Sequence, residues 1–236
     1  MARLQRDEAG RLRGISDAEI HPILDRNGSP FTVKRAGDAE ALDKLPDGGF
    51  LVAFEQVHRF ARYAGPEPWR ARAEPQTAPR EISRQPANGG IETMARLPDG
   101  RIVLVSETDE RSAGTLKAWI GGGGTWREAT YRRRGDYRPV DAKALPNGDL
   151  LVLERAFNLL GGFASRLVLV PASTVRPGAI LDGRDIAELG APLTADNFEG
   201  LAVEAAPGGG TFVFLISDDN RVALQRSLLL QFRLIP

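Results

Sequence analysis

The sequence predicts an all-β protein, a β-propeller built from four-stranded antiparallel blades. Three observations predict it: one segment pattern recurs four times, each copy contains a tight turn with Pro or Gly, and each turn precedes a run rich in Val, Leu, Ile and Phe. Because repeats of roughly 50 residues match single propeller blades, each copy predicts one blade. The copies are Asp38–Glu55, Gly90–Glu107, Val140–Glu154 and Asn197–Asp218.

Each copy has the turn chemistry of a β-hairpin. Pro fixes φ at the first corner, Asp, Asn or Gly follows, and the next Gly accepts the positive φ. The runs after the turns (FLVAF, RIVLVS, DLLVL, TFVFLIS) have no helical period, which indicates buried strands. A third strand is expected at Arg59–Tyr63, Thr115–Ile120, Ser165–Val170 and Ser227–Leu234, and a fourth at Trp69–Ala73 and Thr125–Arg132. Helix is expected to be scarce, with a turn or two within Arg176–Leu189.

The whole chain, 1–236, is interpreted as one domain. Its start predicts a hairpin, with strands in ARLQRD and RLRGISDAEI joined at Glu8–Gly10. We expect this hairpin to be part of an incomplete first blade, so that a complete ring has five or six blades. A generic β-sandwich is the alternative, and the fourfold repeat disfavours it.

Composition excludes several function classes. The 31 basic and 31 acidic side chains balance, so no overall charge attracts nucleic acid or anionic lipid. The absence of cysteine excludes thiol catalysis, disulfides and Cys-ligated metals. No apolar stretch is long enough for a membrane span, and the start has no signal-peptide core. No organic cofactor is expected: the Gly121–Gly124 run lacks the Lys of a phosphate-binding loop, and Arg132–Arg134 is interpreted as a solvated strand edge.

Acidic residues recur at both ends of the repeated segment. The leading acids are Glu40, Glu92, Asp141 and Glu199, and the trailing acids are Glu55, Glu107, Glu154 and Asp218. Because the two strands of a hairpin return to the same end, we expect these carboxylates to converge at one end of the axis. Carboxylate oxygens suit Ca²⁺ best, with Mg²⁺ and Mn²⁺ as alternatives. The predicted metal ligands are Glu40, Glu92, Asp141, Glu199, Asp218, Asp219 and Asn220.

A structural role is the competing interpretation of these acids, which would then accept hydrogen bonds from backbone amides or from Lys and Arg of neighbouring blades.

The candidate catalytic residues are Glu55, His58 and Glu199. The candidate substrate-binding residues are Arg59, Arg111 and Arg155, which would offset the carboxylates if the substrate is anionic. Neither Ser106 nor Ser217 lies in a G-x-S-x-G elbow.

The chain resembles the bacterial phytase-like family, "esterase-like activity of phytase". The resemblance rests on the motifs NFEGLA at 197–202 and ISDDN at 216–220 and on the DAEAL and LPDG repeats. The resemblance extends over nearly the whole chain. It implies a propeller fold, hydrolysis of phosphoesters or esters, and export to the periplasm or secretion. The Ser-Gly-Leu-type start usual in the family is missing, which suggests a truncated member, and a cytoplasmic location stays open.

Two function hypotheses follow. The first is a metal-assisted hydrolase of phosphoesters or carboxylic esters, acting at the acid-lined axial face. The second is a non-catalytic propeller that binds a small molecule, a protein or a cell-envelope component. A propeller fold is compatible with both. The sequence does not determine the oligomeric state.

Overall fold

The computed structural model describes residues 2–159, 161–193 and 195–235. Four mainly antiparallel sheets form a four-bladed β-propeller, and a separate two-stranded sheet lies at the N-terminus. The all-β propeller predicted from the repeats is confirmed. The described sheets form four blades, rather than the five or six expected of a complete ring, because the N-terminal hairpin forms a sheet of its own. No helix among the described residues is long and apolar enough to cross a membrane.

Each blade runs outward from the axis, beginning with its inner strand. The N-terminal sheet comprises β1 (Arg3–Arg6) and β2 (Leu12–Ser16). Blade 1 comprises β3 (Ala39–Lys44), β4 (Phe50–Phe54), β5 (Arg59–Tyr63) and β6 (Glu74–Gln76). Blade 2 comprises β7 (Ile91–Arg96), β8 (Ile102–Ser112), β9 (Thr115–Gly122) and β10 (Thr125–Arg132). Blade 3 comprises β11 (Arg138–Ala144), β12 (Leu150–Asn158), β13 (Gly162–Val170) and β15 (Arg184–Leu189); β14 (Ile180–Leu181) pairs with β10 of blade 2. Blade 4 comprises β16 (Phe198–Ala205), β17 (Thr211–Ser217) and β18 (Leu229–Leu234).

The helical content is small. It comprises helix α1 (Lys34–Gly37) and 3-10 turns at Pro68–Arg70, Arg80–Arg84 and Ala172–Thr174. The helix expected within Arg176–Leu189 is wrong, because β14 and β15 occupy that segment and β15 completes blade 3. The fourth strand of blade 1 also begins later than expected, after the 3-10 turn at Pro68–Arg70.

The inner hairpins close as the turn residues predict. In blade 1, the amide of Leu45 donates to the carbonyl of Gly49 at 2.8 Å, and Gly48 has a φ of +81°. Blade 2 repeats this arrangement, with Gly100 at a φ of +90°. Only glycine accepts such angles without strain, so the Gly of each turn fixes the hairpin.

Three apolar interfaces hold the blades together. Met94 and Trp119 are buried between blades 1 and 2, Val105 and Val152 between blades 2 and 3, and Leu215 in the interface of blades 3 and 4. A single sheet cannot cover both of its faces, so these interfaces supply the burial that each blade lacks on its own.

The fourth interface, between blades 4 and 1, is open. A cavity of about 590 Å³ lies there, and Leu42 and Ile216 on its wall are 47% and 52% exposed. Other segments cover the outward faces of these two blades: Phe31 packs on blade 1, and Leu4 of β1 packs on blade 4. Among the described residues, no core cluster joins blade 4 to blade 1.

The N-terminal hairpin docks on blade 4. The amide of Leu12 donates to Oε1 of Gln231 at 2.6 Å, and Nε2 of Gln231 donates to the carbonyl of Gly10 at 2.9 Å. Gly10 has a φ of +77°, and a Cβ atom there would lie 2.8 Å from the ring of Phe212. The predicted hairpin is therefore present and contacts the last strand of the propeller.

Candidate functional site

Each inner strand contains one β-bulge, at the same level in all four blades. The bulges fall between Ala39 and Ala41, Ile91 and Thr93, Pro139 and Asp141, and Phe198 and Gly200. A bulge leaves its extra residue unpaired and redirects the side chain, and such bulges are frequent beside active sites. The extra residues are Glu40, Glu92, Val140 and Glu199.

The register also aligns the residues that follow the second strand of each hairpin. Phe54, Ser106, Glu154 and Ser217 occupy equivalent paired positions. The next residues are therefore equivalent: Glu55, Glu107, Arg155 and Asp218. We use the name acidic mouth for the carboxylates of Asp38, Glu40, Glu55, Glu92, Glu107 and Glu199 together with Arg155.

The structure does not bring Asp141 and Glu154 to the acidic mouth. Both lie one residue away from the equivalent positions, and a shift of one residue in a strand sends a side chain to the opposite face. Asp141 accepts hydrogen bonds from the amide of Leu201 in blade 4 at 2.8 Å and from Nζ of Lys143 at 2.7 Å. Asp141 lines the 590 Å³ cavity together with Glu40 and Glu199, but its own hydrogen bonds are those of the structural interpretation, and its role as a metal ligand stays a prediction.

Glu154 is fully buried. Its Oε1 accepts a hydrogen bond from the Tyr131 hydroxyl at 2.9 Å, and its Oε2 accepts one from Nε of Arg166. Burial raises the pKa of Glu154, and the Arg166 guanidinium opposes that rise. This carboxylate therefore joins blades 2 and 3 from inside the protein.

Asp38, Glu40 and Glu55 form the tightest part of the acidic mouth. One carboxylate oxygen from each lies within 4.8 Å of the others. Oε1 of Glu55 accepts hydrogen bonds from the amides of Gly89 and Gly90 at 2.5 and 2.9 Å, which leaves Oε2 for another partner. Sequence reasoning missed Asp38, since only blade 1 has an acid at that position.

Burial and the charges of neighbouring carboxylates raise two pKa values in the acidic mouth. Burial, followed by the charges of Glu55, Asp38 and Glu199, raises the pKa of Glu40 to about 7, although its side chain opens to solvent. Burial, followed by the charges of Glu107 and Glu40, raises the pKa of Glu92 to about 9. Neither Glu40 nor Glu92 accepts a hydrogen bond from another described residue.

Arg155 compensates part of this charge. Its guanidinium donates to Glu199 and Asn197, and its Nη2 lies 3.9 Å from Oε1 of Glu107. Arg155 also lowers the pKa of Glu92, but burial and the nearby carboxylates prevail. The acidic mouth thus presents several hard oxygen donors with too few cations, which is the donor set that divalent cations of the calcium type select.

The loop 218–220 is arranged differently. Asp218 accepts a hydrogen bond from the amide of Asn220 at 2.9 Å. Asp219 accepts hydrogen bonds from the amide of Arg221 at 2.8 Å and the hydroxyl of Ser227 at 3.0 Å, and these hold its pKa below the usual value. The group of carboxylates within 4.8 Å includes neither acid, among the residues that the structure describes.

The remaining predicted residues lie in several places. Nε2 of His58 contacts the carbonyl of Pro86 at 2.9 Å, and its buried Nδ1 has no partner among the described residues. Arg59 stacks on Phe54, with its guanidinium carbon 4.0 Å from the ring centre. Arg111, at the end of β8, pairs with Glu128 of β10. Of the three predicted substrate-binding arginines, the structure brings Arg155 to the acidic mouth.

Similarity to solved structures is weak. The chain is 16% identical to a NanB sialidase from Streptococcus pneumoniae, with a TM-score of 0.43 over 81% of this chain and 29% of the sialidase. It is 10% identical to MPT-4, a mannose phosphorylase from Leishmania mexicana in complex with phosphate ion, with a TM-score of 0.44 over 92% of this chain and 67% of that one. A protein of unknown function from Bacteroides caccae is 12% identical, with a TM-score of 0.40 over 83% and 77% of the two chains.

The chain thus spans less than a third of the sialidase's length. No curated protein matches it. A family match, in contrast, extends over residues 1–221. The chain belongs to the phytase-like family described as "esterase-like activity of phytase".

Proposed function

We propose that this protein is a divalent-cation-dependent hydrolase of phosphate esters or carboxylic esters, acting at the acidic mouth. The observation that carries the proposal is the convergence of Asp38, Glu40 and Glu55 within 4.8 Å, beside Glu92 and Glu199. Membership of the family supports the class of reaction. A periplasmic or secreted location stays a prediction.

The donor set fits a calcium ion. Asp38, Glu40 and Glu55 each retain a carboxylate oxygen that accepts no hydrogen bond from a described residue, although Oδ1 of Asp38 lies 3.8 Å from Nζ of Lys34. Ca²⁺ takes six to eight oxygen ligands, typically about 2.3–2.6 Å away, in flexible geometry, so carboxylates from a strand, a loop and a hairpin end can share it with water. Its charge would relieve the repulsion that raises the pKa of Glu40.

When bound, the cation would supply positive charge that polarises the ester oxygen and activates water. The residues around it have separate tasks. In the metal-free protein, burial and the charges of Glu107 and Glu40 raise the pKa of Glu92 to about 9. A carboxyl group with a raised pKa is suited to donate a proton to a leaving oxygen, and we assign that task to Glu92. Arg155 offers charged donors to an anionic group of the substrate. Neither task needs Ser, Cys or His as a nucleophile.

Calcium is expected to raise the melting temperature of chelator-treated protein. At about 100 times the dissociation constant, the gain is about 2.7 kcal/mol, which for a domain of this size is roughly 5–10 °C. Asp38→Asn with Glu40→Gln should abolish the shift. The matched control is Asp219→Asn, which removes a carboxylate outside the cluster and should leave the shift intact. An absent shift in the wild type, or an equal shift in the double variant, would reject the cation site.

Catalysis is tested with a phosphate monoester, a phosphate diester and a short acyl ester, each with and without Ca²⁺. We expect turnover of at least one substrate that requires Ca²⁺, is lost in Glu40→Gln and is retained in Asp219→Asn. Turnover that persists in chelator would contradict the proposed mechanism.

A non-catalytic binding module is the second candidate. It is favoured by the structural use of several acids, since Glu55 already binds the amides of Gly89 and Gly90, and by Val140, which interrupts the carboxylates in blade 3. A calcium-dependent rise in melting temperature without turnover of any substrate in the panel would favour this function.

A further inference from the structure

Blades 2, 3 and 4 surround a cavity of about 730 Å³ beside the acidic mouth. The cavity shares Glu107, Arg155 and Glu199 with the mouth, and Arg133, Arg138 and Phe157 also line it. We propose that this cavity binds an oxyanion attached to an aromatic ring, such as an aryl phosphate. The arginines would hold the oxyanion, and Phe157 would contact the ring.

The arginines of the cavity have unused donors. The Arg138 guanidinium donates no hydrogen bond to a described residue, and its Nη1 lies 3.7 Å from Oε1 of Glu107. Arg133 donates through Nη1 to Glu110 at 2.9 Å, but its buried Nε has no partner among the described residues. That Nε is closed to solvent, so the donors open to a ligand are those of Arg138, whose side chain is 47% exposed. An oxyanion is the acceptor that a guanidinium group fits best.

An exposed aromatic side chain forms another wall. Phe157 and Phe163 face each other across β12 and β13, with ring centres 4.8 Å apart. Phe157 remains 57% exposed, whereas most large apolar side chains of blade 3 are buried. A flat ring entering the cavity would cover Phe157 and gain an aromatic contact.

Net charge alone does not select the ligand. The carboxylates of Glu107, Asp136 and Glu199 balance the three guanidinium groups of the cavity. Glu199, however, is engaged by Arg155, and Arg133 is held on one side by Glu110. The open Arg138 guanidinium, together with the exposed ring, therefore favours an oxyanion with an aromatic body as the ligand. The claim that an aryl oxyanion is the substrate rests on the proposed function. The claim that the cavity binds such a ligand does not.

The test is calorimetric titration of the full chain with phenylphosphonate and methylphosphonate, in chelator. Phenylphosphonate should bind several-fold more tightly than methylphosphonate because of the aromatic contact. Arg138→Gln should weaken both ligands about tenfold, by loss of charged hydrogen bonds. Phe157→Ala should remove the preference for phenylphosphonate and leave methylphosphonate binding unchanged. The matched control, Arg101→Gln, removes an arginine paired with Asp99 at a blade 2 turn and should change neither.

Failure of phenylphosphonate to bind the wild type would overturn the inference, as would unchanged binding in both Arg138→Gln and Phe157→Ala. If Arg138→Gln does not fold, Arg138→Lys keeps the charge but loses the paired donors, and it should still weaken binding. Because chelator removes the cation, the two proposals fail separately. No phosphonate binding with an intact calcium shift rejects the cavity alone, and phosphonate binding without a calcium shift rejects the cation site alone.

Discussion

Glu154→Ala is expected to lower the free energy of unfolding by about 3–5 kcal/mol, because it breaks a buried ion pair and leaves the partner charge uncompensated. Glu154 is fully buried, and Arg166 is only 7% exposed. The substitution also removes the acceptor of the buried Tyr131 hydroxyl. Asp185, at 3.3 Å from Arg166, offers only a partial substitute, since its own side chain is half exposed. Urea unfolding measures the change.

The matched control is Glu128→Ala, which breaks the pair with Arg111. Both side chains of that pair are about half exposed, so the loss should stay below about 1 kcal/mol. Glu154→Leu combined with Arg166→Met removes both buried charges and should recover much of the stability. A Glu154→Ala variant as stable as Glu128→Ala would show that Glu154 is not a buried structural carboxylate.

Glu92→Gln is expected to stabilise the metal-free protein at high pH. The pKa of Glu92 is raised from its ordinary value of 4.5 to about 9, so between these pH values the folded protein binds more protons at this site than the unfolded chain. The free energy of unfolding therefore falls as pH rises through that window. Because Glu92 is partly open to solvent, we expect the variant to gain about 2 kcal/mol near pH 9 and nothing below about pH 5.

Urea unfolding of chelator-treated protein near pH 5, 7 and 9 measures this difference. Asp219→Asn is the control. Its effect on the free energy of unfolding should have the opposite sign, because the pKa of Asp219 lies below its usual value. That carboxylate stabilises the folded state at neutral pH and loses its contribution as the solution becomes acidic. If Glu92→Gln were neutral or destabilising at every pH, the repulsion inferred for the acidic mouth would be wrong.

Most of the fold could be predicted from the sequence because the blade pattern is local. The Pro-Asp-Gly turns, as at Pro46 and Pro98, fix each hairpin, and the apolar runs after them form strands that blades bury on both sides. The segment 176–189 was predicted wrongly because β15 is an outer strand with a mostly polar, exposed pattern. The segment forms a strand because it pairs with β13, and this pairing between distant residues cannot be predicted from the local sequence pattern.

The site was predicted in part, and its error in blade 3 has a simple cause. Matching acid to acid aligned Asp141 and Glu154 with the other repeats, whereas counting from the turn aligns Arg155 with Glu55 and Glu107. Each of these three lies nine positions after its turn Pro, at 146, 46 and 98. That count was available in the sequence. In blade 4 the spacing is longer, so only the register of β16 and β17 aligns Glu199 with Glu40 and Glu92.

Other features depend on tertiary structure. Asp38 joins the acidic mouth because the β3 bulge brings Glu40 beside it, and no other blade has an acid there to signal the position. Arg133 and Arg138 flank a loop between blades 2 and 3, and Phe157 comes from an extended hairpin of blade 3. Their convergence on one cavity follows from the arrangement of blades, so no motif in the sequence indicates it.

The most direct test of the cation site is anomalous diffraction from crystals of the full chain grown with Ca²⁺. We expect a peak with oxygens of Asp38, Glu40 and Glu55 at about 2.3–2.6 Å. Crystals of Asp38→Asn with Glu40→Gln should lack that peak. A peak at Asp218–Asn220 instead, or no peak in the wild type at saturating Ca²⁺, would contradict this expectation.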